Sequence, residues 1–428
     1  MTSMINSTNK SHKSNSIWSN SEPAYLKGME EWKVRLASGI GKSEWKQLLS
    51  YTSDLHITCT HAPTPPFHQP WEEIGTGYCY GPACGHWDLV HAALDFLPHH
   101  PLHAKNQLLN LLALQRHDGM LPGSVWMRGD SVSWSNTESH PPVWPEAAQA
   151  YYSLTGDTPF LGVTLRALDK QLHWFEANRN AQDGGFYYTD ILNHEWESGV
   201  DEGVRFDEIA TGPYACIDAT SHLYRAYEIA EHWAMELQET TLADLYRSKR
   251  LVLQIFIQDR MFNEDVSYFF DIWSVNEPDH QHLAFEGLWP VVTGAATSDQ
   301  AHRVIDRYVL SQQHFLTEHP LPTLAISDPK FELRMWRGPA WNSMTYWVAL
   351  GCYRYGRTDA AMLLLEKALD STAKQFAKTG TIWEFYHPFG ETPDKVARKP
   401  HTPYNVPCRD YLGHNPLIAM AQLWDLCK

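Results

Sequence analysis

Amphipathic stretches recur in pairs along this chain, each pair set apart from the next by a loop rich in Gly, Pro and aromatic residues. The pairs fall at 87–96 and 102–116, 145–155 and 159–179, 218–236 and 240–259, 283–294 and 299–312, and 340–355 and 358–378. A last stretch lies at 413–426. Strand-like alternation is confined to short runs near 185–190 and 267–273. The reading is all-α. Two-helix units suit either an open solenoid or a closed toroid of inner and outer helices. The toroid is favoured, because the loops between pairs are long, irregular and loaded with Trp, His, Asp and Glu, as expected where loops converge on one pocket.

Upstream, 24–56 reads as one or two amphipathic helices and 60–85 as an aromatic loop, while the Ser/Asn-rich residues 1–22 read as a disordered arm. Residues 23–428 are expected to form one domain, since repeated units run large as a single piece. The first twenty residues lack the apolar centre of a secretory signal, and no apolar run approaches the roughly 20 residues of a membrane span. A cytoplasmic protein is expected. A net charge of -16 without a basic cluster excludes a nucleic-acid footprint. Seven cysteines without a CxxC pair suggest reduced thiols, and 23 histidines without an HExxH pair give no metal site. No cofactor is expected.

The aromatic load is the informative part of the composition: 18 Trp, 20 Tyr and 16 Phe. Pyranose C–H groups pack on aromatic faces, but so do core side chains, so motifs must decide between the two. Cleaving a glycosidic bond requires a protonated carboxyl for the leaving oxygen and a carboxylate to activate water or attack carbon. HEWESGVDEGVRFD (194–207) is a loop carrying Glu197, Asp201, Glu202 and Asp207 beside Trp196; a solvated acidic loop is the alternative. In GTIWEFYHPFGE (380–391), Glu384 lies among Trp383, Phe385 and Tyr386, facing either solvent or a polar pocket. In RMWRGPAWNSMTYW (334–347), Gly338-Pro339 breaks the chain before an apolar helix. That places Trp336, Arg337 and Trp341 at a helix mouth or in an aromatic cap.

Together WESGVD (196–201), MWRGPAW (335–341), the helix before GTIWEFY, HWDLVHAAL (86–94) and LLALQRHDGMLPGSVW (111–126) resemble glycoside hydrolase family 63. The likeness is to its short bacterial branch of mannosylglycerate and glucosylglycerate hydrolases, over roughly 85–426. The resemblance implies an (α/α)6 barrel with long aromatic loops and minor β-hairpins. It also implies inverting, exo-acting, cofactor-free hydrolysis of a small α-glucoside or α-mannoside. Matched motif by motif, Asp201 is implied to be the general acid and Glu384 the general base. Trp87 and Asp88 are implied to grip the sugar, with Trp196, Gly199, Trp336 and Trp341 lining the same subsite; Trp126, Arg337, Trp383 and Tyr386 are further candidate substrate-binding residues.

The chain departs from the family at Glu202-Gly203-Val204, at Glu138-Ser139-His140-Pro141-Pro142, at Met335, and in CRDYLGHNPL (408–417). These positions leave the sugar, linkage and aglycone open. Arg409 either forks onto a substrate carboxylate or pairs with Asp410, the structural pairing being favoured. Two rival functions remain: an epimerase or polysaccharide lyase on the same toroid, and an inactive carbohydrate-binding protein.

Overall fold

A computed structural model describes residues 22–37, 39–128, 131–194, 196–207 and 212–428. The expected arm, 1–22, lies outside these residues but for Glu22, which opens the first helix. In chain order the helices are α1 (Glu22–Ala37), α2 (Lys46–Cys59), α3 (His86–Phe96), α4 (Pro101–Ala113), α5 (Trp144–Thr155), α6 (Thr158–Asn178), α7 (Asp190–Asn193), α8 (Ile217–Glu236), α9 (Thr240–Arg260), α10 (Trp289–Thr293), α11 (Ser298–Val304), α12 (Asn342–Arg354), α13 (Thr358–Thr379) and α14 (Leu417–Leu426). The protein is mostly helical. Consecutive helices pack as hairpins in α3/α4, α5/α6, α8/α9 and α12/α13.

The members of each hairpin differ in how they are buried. Every residue of α3 is buried, and so is nearly all of α12, as for a helix surrounded by protein. In α9 only Ala243, Tyr246, Leu253, Phe256 and Ile257 are buried, leaving a broad outer face. The more buried helices touch one another in a cycle: α3 on α5, α5 on α8, α8 on α10, α10 on α12, α12 on α14, and α14 back on α3. One apolar core runs from Met29 to Trp424. Among the described residues no helix is long and apolar enough to cross a membrane.

Two expected helices are shorter than their apolar pattern. The 283–294 stretch is a 3₁₀ turn, Phe285–Leu288, followed by the five-residue α10, which starts where Pro290 fits a first helical turn and ends at left-handed Gly294. The 299–312 stretch opens with a Thr297 capping box and passes from α11 into a π turn, Ile305–Val309.

Short strands occur at β1 (Thr60–His61), β2 (Trp71–Glu72), β3 (Ala83–Gly85), β4 (Ser124–Arg128), β5 (Ser131–Trp134), β6 (Phe262–Asn263) and β7 (Tyr268–Phe269). The antiparallel sheet β3-β4-β5, with Ala83 opposite Trp126 and Trp126 opposite Ser133, was not expected from the sequence. Of the expected strands, 267–273 contains β7, whereas 185–190 is reduced to a single bridge from Phe186 to Asn180.

Candidate active site

Loops at the N-terminal ends of the ring helices enclose a cavity of about 300 Å³. Asp88 lies in the first turn of α3 and Trp341 caps α12, while His140 and His414 shortly precede α5 and α14. The sheet adds Ser124, Trp126 and Arg128 from β4. Asp201 and Glu384, from loops far apart in the chain, line this same cavity. Trp87, Asp88, Trp126, Trp196, Gly199, Trp336 and Trp341 line it with them.

The aromatic wall is packed in a fixed order. Trp336 stacks on Trp341 with ring centres 3.9 Å apart, and the Trp341 indole N–H donates to the Met335 carbonyl at 3.2 Å. His414 meets the edges of Trp341 and Trp87, at 4.6 and 4.9 Å. Gly199 has φ +74°, and a Cβ there would sit 2.5 Å from the Trp87 ring, so any side chain at 199 would push that indole aside. Among the described residues, His140 Nδ1 and Trp126 Nε1 are buried without a hydrogen-bond partner. Both belong to residues that line the cavity, so they are polar groups a ligand's hydroxyls could satisfy.

Glu384 is 2% exposed and is held by three hydrogen bonds from two residues. Arg398 donates Nε to Oε2 at 2.7 Å and Nη2 to Oε1 at 3.0 Å, and the Cys408 N–H donates to Oε2 at 3.1 Å. The Glu384 N–H in turn donates to the Cys408 carbonyl at 2.8 Å. Asp201 is paired differently: the Lys399 ammonium donates to Oδ2 at 2.7 Å, and both side chains stay about a fifth exposed, at 22% and 23%. Neighbouring residues of one loop therefore supply one cation to each acid. Burial opposes the charge on both, but the carboxylates outweigh it and raise the pKa of Arg398 and of Lys399.

Asp88 is buried and accepts from the Tyr411 hydroxyl at 3.1 Å. Burial, with the nearby charge of Glu384, pushes its carboxyl up to about 7. Gly413 makes room for it, since a Cβ there would lie 2.2 Å from Oδ1. Burial pushes His140 and His91 down to about 4 and His414 well below its usual value, so these imidazoles are neutral near pH 7.

Three expected lining residues lie elsewhere. Arg337 turns away from the cavity: it donates to the Glu202 carbonyl at 2.9 Å and forks onto Asp207, clamping the loop that follows Asp201. Trp383, bridged to Arg409, is not among the residues that line the cavity. Its indole donates to Thr379 and lies under the Arg409 guanidinium at 5.3 Å. Tyr386 is fully buried, stacked on His319, with its hydroxyl accepting from the Trp383 N–H. Arg409 is occupied structurally, as favoured, but with Thr379 O and Trp383 as its partners, while Asp410 accepts from Tyr51 and Thr381.

The acidic loop is not a solvated run. Glu197 is fully buried; it receives Arg179 Nε at 2.7 Å and the Ser139 N–H at 2.9 Å, while Glu202 pairs with Arg334 and Asp207 with Arg337. Among the described acids of this loop, Glu197, Asp201, Glu202 and Asp207, only Asp201 lines the cavity. Sequence reasoning missed Arg398, Lys399, Arg128, Tyr78 and Tyr80 as lining residues. The signal available was physical: a carboxylate sunk among aromatics needs a counter-charge, and Arg398-Lys399 is a basic pair within a loop of an acidic chain. Away from the cavity, Cys216, Asp218 and Asp271 cluster as potential metal ligands, but Arg205 already sits on both carboxylates at 2.9 Å.

The chain belongs to the mannosylglycerate hydrolase MGH1-like glycoside hydrolase family, whose domain model matches residues 82–405. It is 27% identical over 259 residues to an uncharacterized protein of Borreliella burgdorferi, covering 59% of this chain and 52% of that one. It is 29% identical over 106 residues to mannosylglycerate hydrolase MGH1 of Selaginella moellendorffii, covering 24% of this chain and 20% of the relative. The matches thus span about half or less of these relatives' lengths. The fold is shared with the GH63 mannosylglycerate hydrolase of Thermus thermophilus in complex with Tris and D-glycerate. The TM-score is 0.67 at 17% identity, with 88% of this chain and 99% of that one covered.

Proposed function

We propose that residues 23–428 form an (α/α)6 barrel that hydrolyses a small α-glucoside or α-mannoside with inversion, Asp201 protonating the leaving oxygen and Glu384 activating water. The cycle of six inner helices supports the barrel. The observation that carries the chemistry is that the two acids share one aromatic-walled cavity while drawing their counter-charges from adjacent residues. Arg398 keeps Glu384 in place as an oriented acceptor for a water proton. Lys399 must leave Asp201 before that carboxyl can carry a proton to the glycosidic oxygen. A substrate whose aglycone bears a carboxylate, such as glucosylglycerate or mannosylglycerate, offers the displaced ammonium a new partner, with Arg128 also on the wall.

Trp87, Trp336 and Trp341 supply flat faces for the sugar, and Asp88 with the free His140 and Trp126 nitrogens supplies its polar partners. A cavity of about 300 Å³ suits a monosaccharide with a small aglycone better than a polymer. The test is a panel of α-glycosides followed by anomer-resolved nuclear magnetic resonance, run with Asp201→Asn and Glu384→Gln. The expected result is sugar released first as the β-anomer and at least about a thousand-fold loss of kcat in each variant, without loss of fold. An active single variant or a first-formed α-anomer would refute the assignment.

A further inference from the structure

Segment 74–82 lies directly on segment 408–413. Leu412 and Gly413 donate to the Ile74 carbonyl, and a Cβ on Gly75 or Gly77 would collide with the Asp410 or Arg409 carbonyl, at 2.2 and 1.9 Å. Between these backbones lie two cysteines of one cluster: Cys408, buried with Ile74, Ala83 and Tyr411, and Cys79, half-buried and packed against that cluster. Each cysteine is tied to the cavity. Cys79 sits between Tyr78 and Tyr80, both lining it, and the Cys408 main chain holds Glu384 through two hydrogen bonds.

We infer that Cys79 and Cys408 form a redox-modification site at which a peroxide closes a disulfide that shifts the main-chain support of Glu384. In the first step the Cys79 thiolate attacks a peroxide oxygen; the O–O bond breaks and, with one proton, leaves Cys79 sulfenic acid and water. In the second step the Cys408 thiol attacks that sulfur, forming the S–S bond and releasing a second water. Overall two thiols are oxidised and one hydrogen peroxide is reduced to two waters.

The neighbourhood selects this pair. The Cys408 side chain, joined by the Arg398 guanidinium, lowers the pKa of Cys79 despite its partial burial. Burial instead pushes Cys59, Cys84, Cys216, Cys352 and Cys427 up. A half-exposed thiol of lowered pKa beside a second cysteine is the arrangement peroxides attack. A disulfide brings the sulfurs to about 2 Å, closer than unbonded sulfurs can sit, so closing it draws Cys408 and its Glu384-binding main chain toward the tyrosine loop.

The loss of catalysis rests on the reading of Glu384 as the base; the cross-link itself does not. Reduced full-length protein is treated with stoichiometric hydrogen peroxide, digested without reductant and mapped by mass spectrometry, with α-glycoside hydrolysis followed in parallel. The expected outcome is a peptide joining Cys79 to Cys408 before Cys427 reacts, with hydrolysis falling about tenfold or more and returning with dithiothreitol. Cys79→Ser should keep the basal rate and lose its peroxide sensitivity, while Cys427→Ser should behave as the parent protein. Oxidation of Cys427 with the pair still reduced, or Cys79 stopping at sulfinic acid without a cross-link, would overturn the site. A cross-linked protein of undiminished activity would overturn its control of Glu384. If no glycoside is hydrolysed, the peptide map alone decides the site.

Discussion

Replacing Arg398 with Met removes the guanidinium from Glu384 while keeping most of its volume. Both side chains are 2% exposed, so the carboxylate left behind is poorly compensated by solvent. Two charge-assisted hydrogen bonds disappear and one, from the Cys408 N–H, remains. Stranding one member of a buried ion pair costs about 3–5 kcal/mol, in line with two lost bonds to a charge at roughly 1.5–3 kcal/mol each. Urea unfolding followed by tryptophan fluorescence should show Arg398→Met destabilised by that amount. Glu384→Gln, which strands the arginine instead, should fall by a similar amount. The double variant removes both charges and should be more stable than the sum of the single losses requires, giving a coupling of about 2–3 kcal/mol. The measured activity of Arg398→Met should drop at least about a hundred-fold, because an unanchored base loses its aim. A single-variant cost below about 1 kcal/mol, or additive losses in the cycle, would refute the claim that Glu384 depends on this pair.

Other perturbations probe separate parts of the structure. Gly199→Ala must displace the Trp87 indole and strain a left-handed residue; a stability loss of about 1–3 kcal/mol and a raised KM are expected from thermal melts and kinetics. Asp88, raised to about 7, is a neutral acid below that pH and a carboxylate accepting from sugar hydroxyls above it; KM should therefore fall as pH rises through 7, and Asp88→Asn should remove the inflection. Buried His56, between Glu72 and Asp95, is desolvated but charged by both carboxylates, which raise it to about 9. Its folded value exceeds its unfolded 6.5, so its stabilisation of roughly 3 kcal/mol is complete below pH 6.5 and lost as pH climbs through 9. Urea midpoints across that range should decline in the parent and flatten in His56→Gln. Lys399→Met should raise KM for a glycerate conjugate about tenfold and leave a neutral α-glucoside little changed, which steady-state kinetics would read directly.

Legibility in the sequence followed the length and regularity of each element. Long helices such as α6, α8, α9 and α13 announce themselves because their apolar stripe repeats over several turns against a solvent face. The α10 and α11 regions do not, since a 3₁₀ turn and a π turn satisfy the same apolar run with different backbone. The β3-β4-β5 sheet was invisible because three to five residues are too few to establish a period of two. In the site, motif resemblance pointed to residues that face the cavity where the motif sits at a helix mouth, as with Trp87 and Trp341. Arg337, Trp383 and Tyr386, chosen for their place beside those motif residues, turn elsewhere because their orientation depends on distant partners: Asp207, Arg409 and His319. Arg398 and Lys399 escaped because their ion pairs are tertiary, and the Lys399 partner lies 198 residues away.

Those two pairs differ in a way that suits the two roles proposed for the acids. Glu384 is bound by a forked guanidinium, with both side chains 2% exposed, so separating the pair strands two buried charges. Asp201 meets a flexible ammonium through one hydrogen bond, with both groups partly in water, where an ion pair is worth only about 0–1 kcal/mol. A base that must accept a proton at a fixed point gains from a partner that never leaves. An acid that must carry a proton each turnover requires one that leaves at little cost, and a long lysine stem at the cavity wall meets that need where an arginine fork would not. Exchanging the two cations, Arg398→Lys with Lys399→Arg, should therefore cost far more activity than stability, even though the net charge of the loop is unchanged.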